Sequence, residues 1–100
     1  MRTRAVVFAP EAQDDLFRLY DWIAEAAGAE TALSYIERLE AYCLSFDLAS
    51  ERGRLRDDVR PGLRIVGFER RVTIAFALNE TSVTILRLFY GGWNWEDVLA

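Results

Sequence analysis

RVTIAFALNETSVTILRLFY, residues 71–90, is the stretch whose reading decides the fold. Its first half alternates. Val72, Ile74, Phe76 and Leu78 face one way, and Arg71, Thr73, Ala75 and Ala77 face the other. A period of two is the mark of a strand. Asn79-Glu80-Thr81 breaks the run with three polar residues, after which β-branched residues resume. The spacing predicts a β-hairpin over Arg70–Leu78 and Ser82–Tyr90. In the second strand, alternation places Val83, Ile85, Arg87 and Phe89 on one face and Leu86, Leu88 and Tyr90 on the other. Both faces are substantially apolar, so both need a cover. A helical layer can supply one; the tail or a partner must supply the other.

Working outward, Leu63–Phe68 reads as a third strand. The stretch ASERGRLRDDVRPGLR before it reads as a loop: polar, rich in arginine and punctuated by Gly53 and Pro61-Gly62. Further upstream the period becomes helical. Ala12, Leu16, Leu19, Ile23 and Ala27 form one apolar stripe, opened by Pro10 and closed by Gly28. Glu11, Asp14 and Asp15 read as complements to the helix dipole and as solubilising surface. A second helix starts near Glu30, with Ala32, Ile36, Leu39, Cys43 and Phe46 as its stripe and Tyr35 and Tyr42 on the flank. The short connection predicts an antiparallel helical hairpin. Arg4–Phe8 reads as a short strand. The expected fold is α+β: an N-terminal strand, a helical hairpin, then a three-stranded antiparallel meander, in a single domain over residues 1–100.

Composition narrows the function. The chain has 100 residues, 52% of them hydrophobic, and no apolar run that reaches the ~18 residues of a membrane span. The N-terminus has basic residues but no apolar core of a signal peptide. A single cysteine, Cys43, cannot make an internal disulfide and reads as a small core residue. A cytoplasmic protein is expected. The net charge is −4, which disfavours a broad grip on nucleic acid. Every basic residue is Arg; the chain has neither Lys nor His. That removes the usual acid–base groups near neutral pH and excludes His-based metal sites. No catalytic residue, metal or cofactor is expected. The charge is uneven: residues 1–50 hold 4 Arg against 9 Asp+Glu, whereas residues 51–71 alone hold 7 Arg.

Local patterns add to this. FAPEAQDDL at residues 8–16 precedes YDWIA at 20–24; ERGR at 51–54 precedes DDVRPGLR at 57–64; VTILR at 83–87 leads into YGG at 90–92. Their order and spacing resemble the RelE/ParE superfamily of bacterial type II toxin–antitoxin modules. PGLR and the final Gly pair look most like the ParE branch. The resemblance implies a small toxin neutralised by a ParD-like antitoxin encoded beside it, with DNA gyrase as the target. The alternatives are a RelE-like ribosome-dependent mRNA ribonuclease, or a toxin-like binding module that has lost toxicity.

Within that frame, Arg56, Arg60, Arg64, Arg71, Arg87 and Tyr90 are candidates for antitoxin binding, since guanidinium suits bidentate pairing with an acidic segment. Each has a structural alternative. Arg87 would pair with a carboxylate of the protein's own helices or tail, and Arg52, Arg54, Arg56, Arg60 and Arg64 would form a solvated loop face near Asp57 and Asp58. Trp93, Asn94 and Trp95 are candidates for target binding. In an extended tail Trp93 and Trp95 point the same way. One indole is expected to pack on the sheet, and the other, Trp93, to stay available.

Members that cut RNA carry an Arg in the tail and a Tyr near the end; here Trp93 and Leu99 stand there. Neither stabilises a phosphorane or moves a proton. The protein should therefore leave transcripts intact in a translation extract. Codon-specific cleavage that disappears when the protein is omitted would contradict this.

Overall fold

The computed structural model describes residues 3–48, 50–91 and 95–99. Strand β1 (Ala5–Phe8) leads at once into helix α1 (Pro10–Ala27). Pro10 takes the first helical position, where its missing N–H costs nothing. Gly28, at φ 98°, is the whole connection to α2 (Ala29–Leu44), and the two helices form the predicted hairpin. A single 3-10 turn (Ser45–Asp47) follows. The chain then runs through β2 (Arg54–Leu55), β3 (Leu63–Phe68), β4 (Val72–Leu78), β5 (Ser82–Tyr90) and a short helix α3 (Trp95–Leu99).

The sheet has the order β1-β5-β4-β3-β2. β1 joins β5 in parallel, with Val6 opposite Val83, and the other pairings are antiparallel. The Asn79 side chain builds the β4–β5 turn by accepting the N–H groups of Thr81 and Ser82 at 2.8 and 2.7 Å.

Two departures from the sequence reading lie outside the regular elements. The Arg-rich loop contains β2, paired with β3, because Gly53 sits at φ 67° against the Ile65 carbonyl, where any Cβ would collide. The tail is helical over Trp95–Leu99, and the expected alternation of Trp93 with Trp95 falls partly outside the described residues.

The main core lies between the helical hairpin and the sheet. Leu19, Ile23, Ile36, Leu39, Cys43 and Phe46 meet Ile74, Phe76, Val83 and Ile85 there. The opposite face carries a second cluster of Leu63, Ile65, Ala75, Phe89 and Leu99, with Val59, Leu86 and Trp95 packed against it. The second apolar face of β5 is thus covered in part by the protein's own tail.

Strict alternation in β5 fails at one point. Ala75 pairs with Arg87 but Phe76 pairs with Ile85, so Leu86 is an extra residue and the strand bulges. An extra residue shifts every later side chain to the other face. Leu88 and Tyr90 therefore join Val83 and Ile85 on the helical side, while Leu86 and Phe89 go to the second cluster. This corrects the grouping of Phe89 with Val83 and Ile85.

The bulge is held from α1. Arg87 donates from Nε and Nη2 to the Asp15 carboxylate at 2.8 and 3.2 Å, and the Leu88 N–H donates to the same group at 2.9 Å. Asp15 is 6% exposed. It is no surface carboxylate, and of the helix-one acids Glu11 alone lies in the first turn. Arg87 is raised above the ordinary arginine value by its bond to Asp15.

Two predictions follow from this packing. Asp15→Ala leaves a cation and a backbone N–H without a partner, and should cost about 3 kcal/mol in urea denaturation. Asp15→Leu combined with Arg87→Met should recover most of that loss. The second concerns alkaline pH. Burial pushes the Cys43 thiol up to about 12, and burial together with Glu69 pushes the Tyr35 hydroxyl up to about 12. The unfolded chain releases these protons first, so stability should be level below about pH 9 and fall as pH rises toward 12. Cys43→Ala and Tyr35→Phe should each flatten that slope in melting curves.

Candidate functional site

The six arginine and tyrosine candidates do not converge on one patch; the fold places them in three locations. Arg87 is committed to Asp15, the structural alternative for that residue.

Arg56, Arg60 and Arg64 belong to the β2–β3 end. Arg56 donates to Asp58 through Nε and Nη2, both at 2.8 Å, and Nη2 also donates to Glu96 of α3 at 2.9 Å. Its guanidinium lies 5.1 Å from the Trp95 ring. One arginine therefore clamps the loop to the tail helix, and these bonds raise Arg56 above its ordinary value and lower the Asp58 carboxyl. Arg64 donates from Nε to the Arg52 carbonyl at 3.0 Å, and Arg60 lies exposed. Trp95 is half-buried between Arg56 and the second cluster. Trp93 and Asn94 lie outside the described residues.

Arg71 and Tyr90 do come together, in an open cleft of about 650 Å³ between the helical hairpin and the β3–β4 turn. Arg71 Nη1 donates to the Tyr90 hydroxyl at 3.3 Å, a bond that raises Arg71. The Tyr90 ring lies 4.4 Å from that of Trp22, tilted by 55°. Across the cleft, Arg38 of α2 donates to both oxygens of Glu69 at 3.1 and 3.2 Å. This bidentate bond raises Arg38 and lowers Glu69. Tyr35 forms part of the lining beneath them. The turn that carries Glu69 and Arg71 is strained, with Glu69 at φ 49° and Arg70 at φ 60°. Left-handed backbone costs a non-glycine residue about 1–2 kcal/mol. The Gly91 N–H donates to the Arg71 carbonyl at 2.8 Å and ties the tail to the same turn.

A second groove, about 630 Å³, follows the other flank of the hairpin, with Phe8, Leu16, Phe17, Tyr20 and Ile36 among its walls. Phe17 is 70% exposed there and Trp22 is 52% exposed on the first flank. Trp is among the residue types that most often anchor interfaces.

Sequence reasoning missed Trp22, Tyr35, Arg38 and Glu69 as site residues. A signal existed for Trp22, a large aromatic lying off the Leu16–Leu19–Ile23 stripe of its helix. Nothing local singles out Glu69, whose place depends on the turn. Among the described residues, no group of three His, Cys, Asp or Glu is placed to hold a metal ion.

Known proteins agree with this architecture. The family model for the ParE toxin of the type II toxin–antitoxin system parDE matches residues 6–95. Toxin ParE3 of Caulobacter vibrioides is 31% identical over 94 residues, covering 94% of this chain and 87% of that protein. A solved structure of the chromosomal ParDE toxin–antitoxin system from P. aeruginosa superposes with a TM-score of 0.77 at 22% identity, over 88% of this chain and 96% of that one. The match in sequence along nearly the whole chain, on a fold with the same course, establishes that this protein belongs to the ParE family of type II toxins.

Proposed function

We propose that the protein is a cytoplasmic toxin that binds and blocks DNA gyrase and is neutralised by a ParD-like antitoxin. It acts by binding and not by chemistry of its own. The observation that carries this reading is the accessible surface of the helical hairpin. It offers two open, largely apolar grooves, one on each flank, with Trp22 and Phe17 exposed beside them. Such grooves suit side chains of a wrapping polypeptide. The chain has neither Lys nor His to move a proton at neutral pH, and Arg38, Arg56 and Arg87 are held by carboxylates of the protein itself.

Membership of the ParE family supports the antitoxin and the target. Toxin ParE3, at 31% identity, supports toxicity as the activity. Arg60 and Arg64 stand as secondary antitoxin contacts, and the tail Trp93-Asn94-Trp95 as the segment aimed at gyrase.

Expressed alone in a bacterial host, the protein should arrest growth, and coexpression of the adjacent reading frame should relieve it. The purified protein should inhibit plasmid supercoiling by gyrase, and added antitoxin should restore it. Full supercoiling at saturating protein would overturn the gyrase reading. Normal growth together with tight antitoxin binding would identify a module without toxicity.

A further inference from the structure

The cleft beside Trp22 contains a buried polar group that no described residue satisfies. The Tyr35 side chain is 7% exposed, and its hydroxyl has no hydrogen-bond partner among the described residues. Buried hydroxyls are nearly always paired, because an unpaired one forfeits its bonds to water. Tyr35 packs edge-on against Phe68 with the Arg38 guanidinium 5.3 Å above its ring, so its position is set from two sides.

The two arginines of the cleft, which face Glu30 and Glu69, differ in what they are bound to. Glu69 is already held at both oxygens by Arg38. Arg71 makes no ion pair among the described residues and spends one N–H on a neutral hydroxyl at 3.3 Å, near the limit of a useful bond. A hydroxyl donor and an arginine fork on one cleft, with a second arginine already neutralised, select an anion. Glu30 also lines the cleft, in the first turn of α2 at the hairpin end, and the adjoining wall of Trp22, Ile23 and Ala26 is apolar. An inorganic ion would leave that wall uncovered. An acidic side chain on an otherwise apolar polypeptide would use both parts.

We propose that this cleft is a carboxylate subsite for the antitoxin: one Asp or Glu of the bound segment accepts from the Tyr35 hydroxyl and from Arg71, while a neighbouring apolar side chain covers Trp22. The subsite rests on the antitoxin reading above. On binding, Arg71 exchanges its long bond to Tyr90 for a charged one, and the hydroxyl of Tyr35 gains a partner. The free toxin therefore carries a defect that the complex repairs.

The test is binding of the adjacent gene product to the purified full chain by calorimetry, with melting curves of the free toxin. Arg71→Gln should weaken the complex about tenfold or more. Arg70→Gln removes the same charge from a residue that does not line the cleft, and should bind like the parent. Tyr35→Phe should act in opposite directions. It should raise the Tm of the free toxin by about 4 °C, since an unsatisfied buried group is gone. It should also weaken the complex by about fivefold or more. A double-mutant cycle of Arg71→Gln against each antitoxin Asp and Glu should single out one coupled partner. Parent-like binding by both Arg71→Gln and Tyr35→Phe overturns the subsite and leaves the antitoxin reading standing. Failure of the parent itself to bind overturns both.

Discussion

One carboxylate sets the register on which the rest of the molecule depends. Asp15 accepts two hydrogen bonds from Arg87 and one from the Leu88 N–H, at the place where β5 takes in an extra residue. A bulge leaves backbone groups without ladder partners, and a buried N–H left alone is costly. Asp15 supplies that partner from the facing helix. Burying a charge pair returns little net stability, but it punishes every alternative register in which the charges separate. From the bulge onward, β5 presents Leu88 and Tyr90 to the helices and Phe89 to the opposite face. The Trp22–Tyr90 contact and the seat for the tail helix both follow from that shift.

Arginine serves this protein more as internal fastener than as external charge. Arg87 joins α1 to β5, Arg38 joins α2 to the β3–β4 turn, and Arg56 joins the loop to the tail helix. Each joins segments distant in the chain, and all three use both arms of the fork on one carboxylate. A planar, permanently charged group with several donors suits that task better than an ammonium. The exposed pairs add little energy by themselves. Their effect is positional: Arg38 and Glu69 together shape the wall of the cleft, and Arg56 holds Trp95 against the second cluster. The exposed aromatics Trp22 and Phe17 lie along the flanks of the helical hairpin, away from the stretch where the arginines are densest.

The strained β3–β4 turn fits the same picture. Glu69 and Arg70 occupy left-handed backbone that glycine or asparagine would adopt more cheaply. This geometry brings Glu69, held by Arg38, and Arg71, bonded to the Tyr90 hydroxyl, to the cleft rim. Strain of this kind collects where a surface has work beyond folding.

Much of this was written in periodicity. The alternation of Val72, Ile74, Phe76 and Leu78, and the helical recurrence of Ala32, Ile36, Leu39, Cys43 and Phe46, determined strands, helices and the inward faces of both. Pro10 and Gly28 marked the ends of α1, and the chain order of these elements carried the family. Such features depend on neighbours within a few residues, which is why the sequence alone determined them. The bulge at Leu86, the burial of Asp15, the commitment of Arg56 and Arg87, and the joining of Trp22, Tyr35, Arg71 and Tyr90 in one cleft were decided by tertiary structure. Asp15 and Arg87 are 72 residues apart, and Arg56 and Glu96 are 40 apart. No local pattern distinguishes a carboxylate that meets water from one that meets a buried guanidinium, because the difference is made entirely by what packs on it.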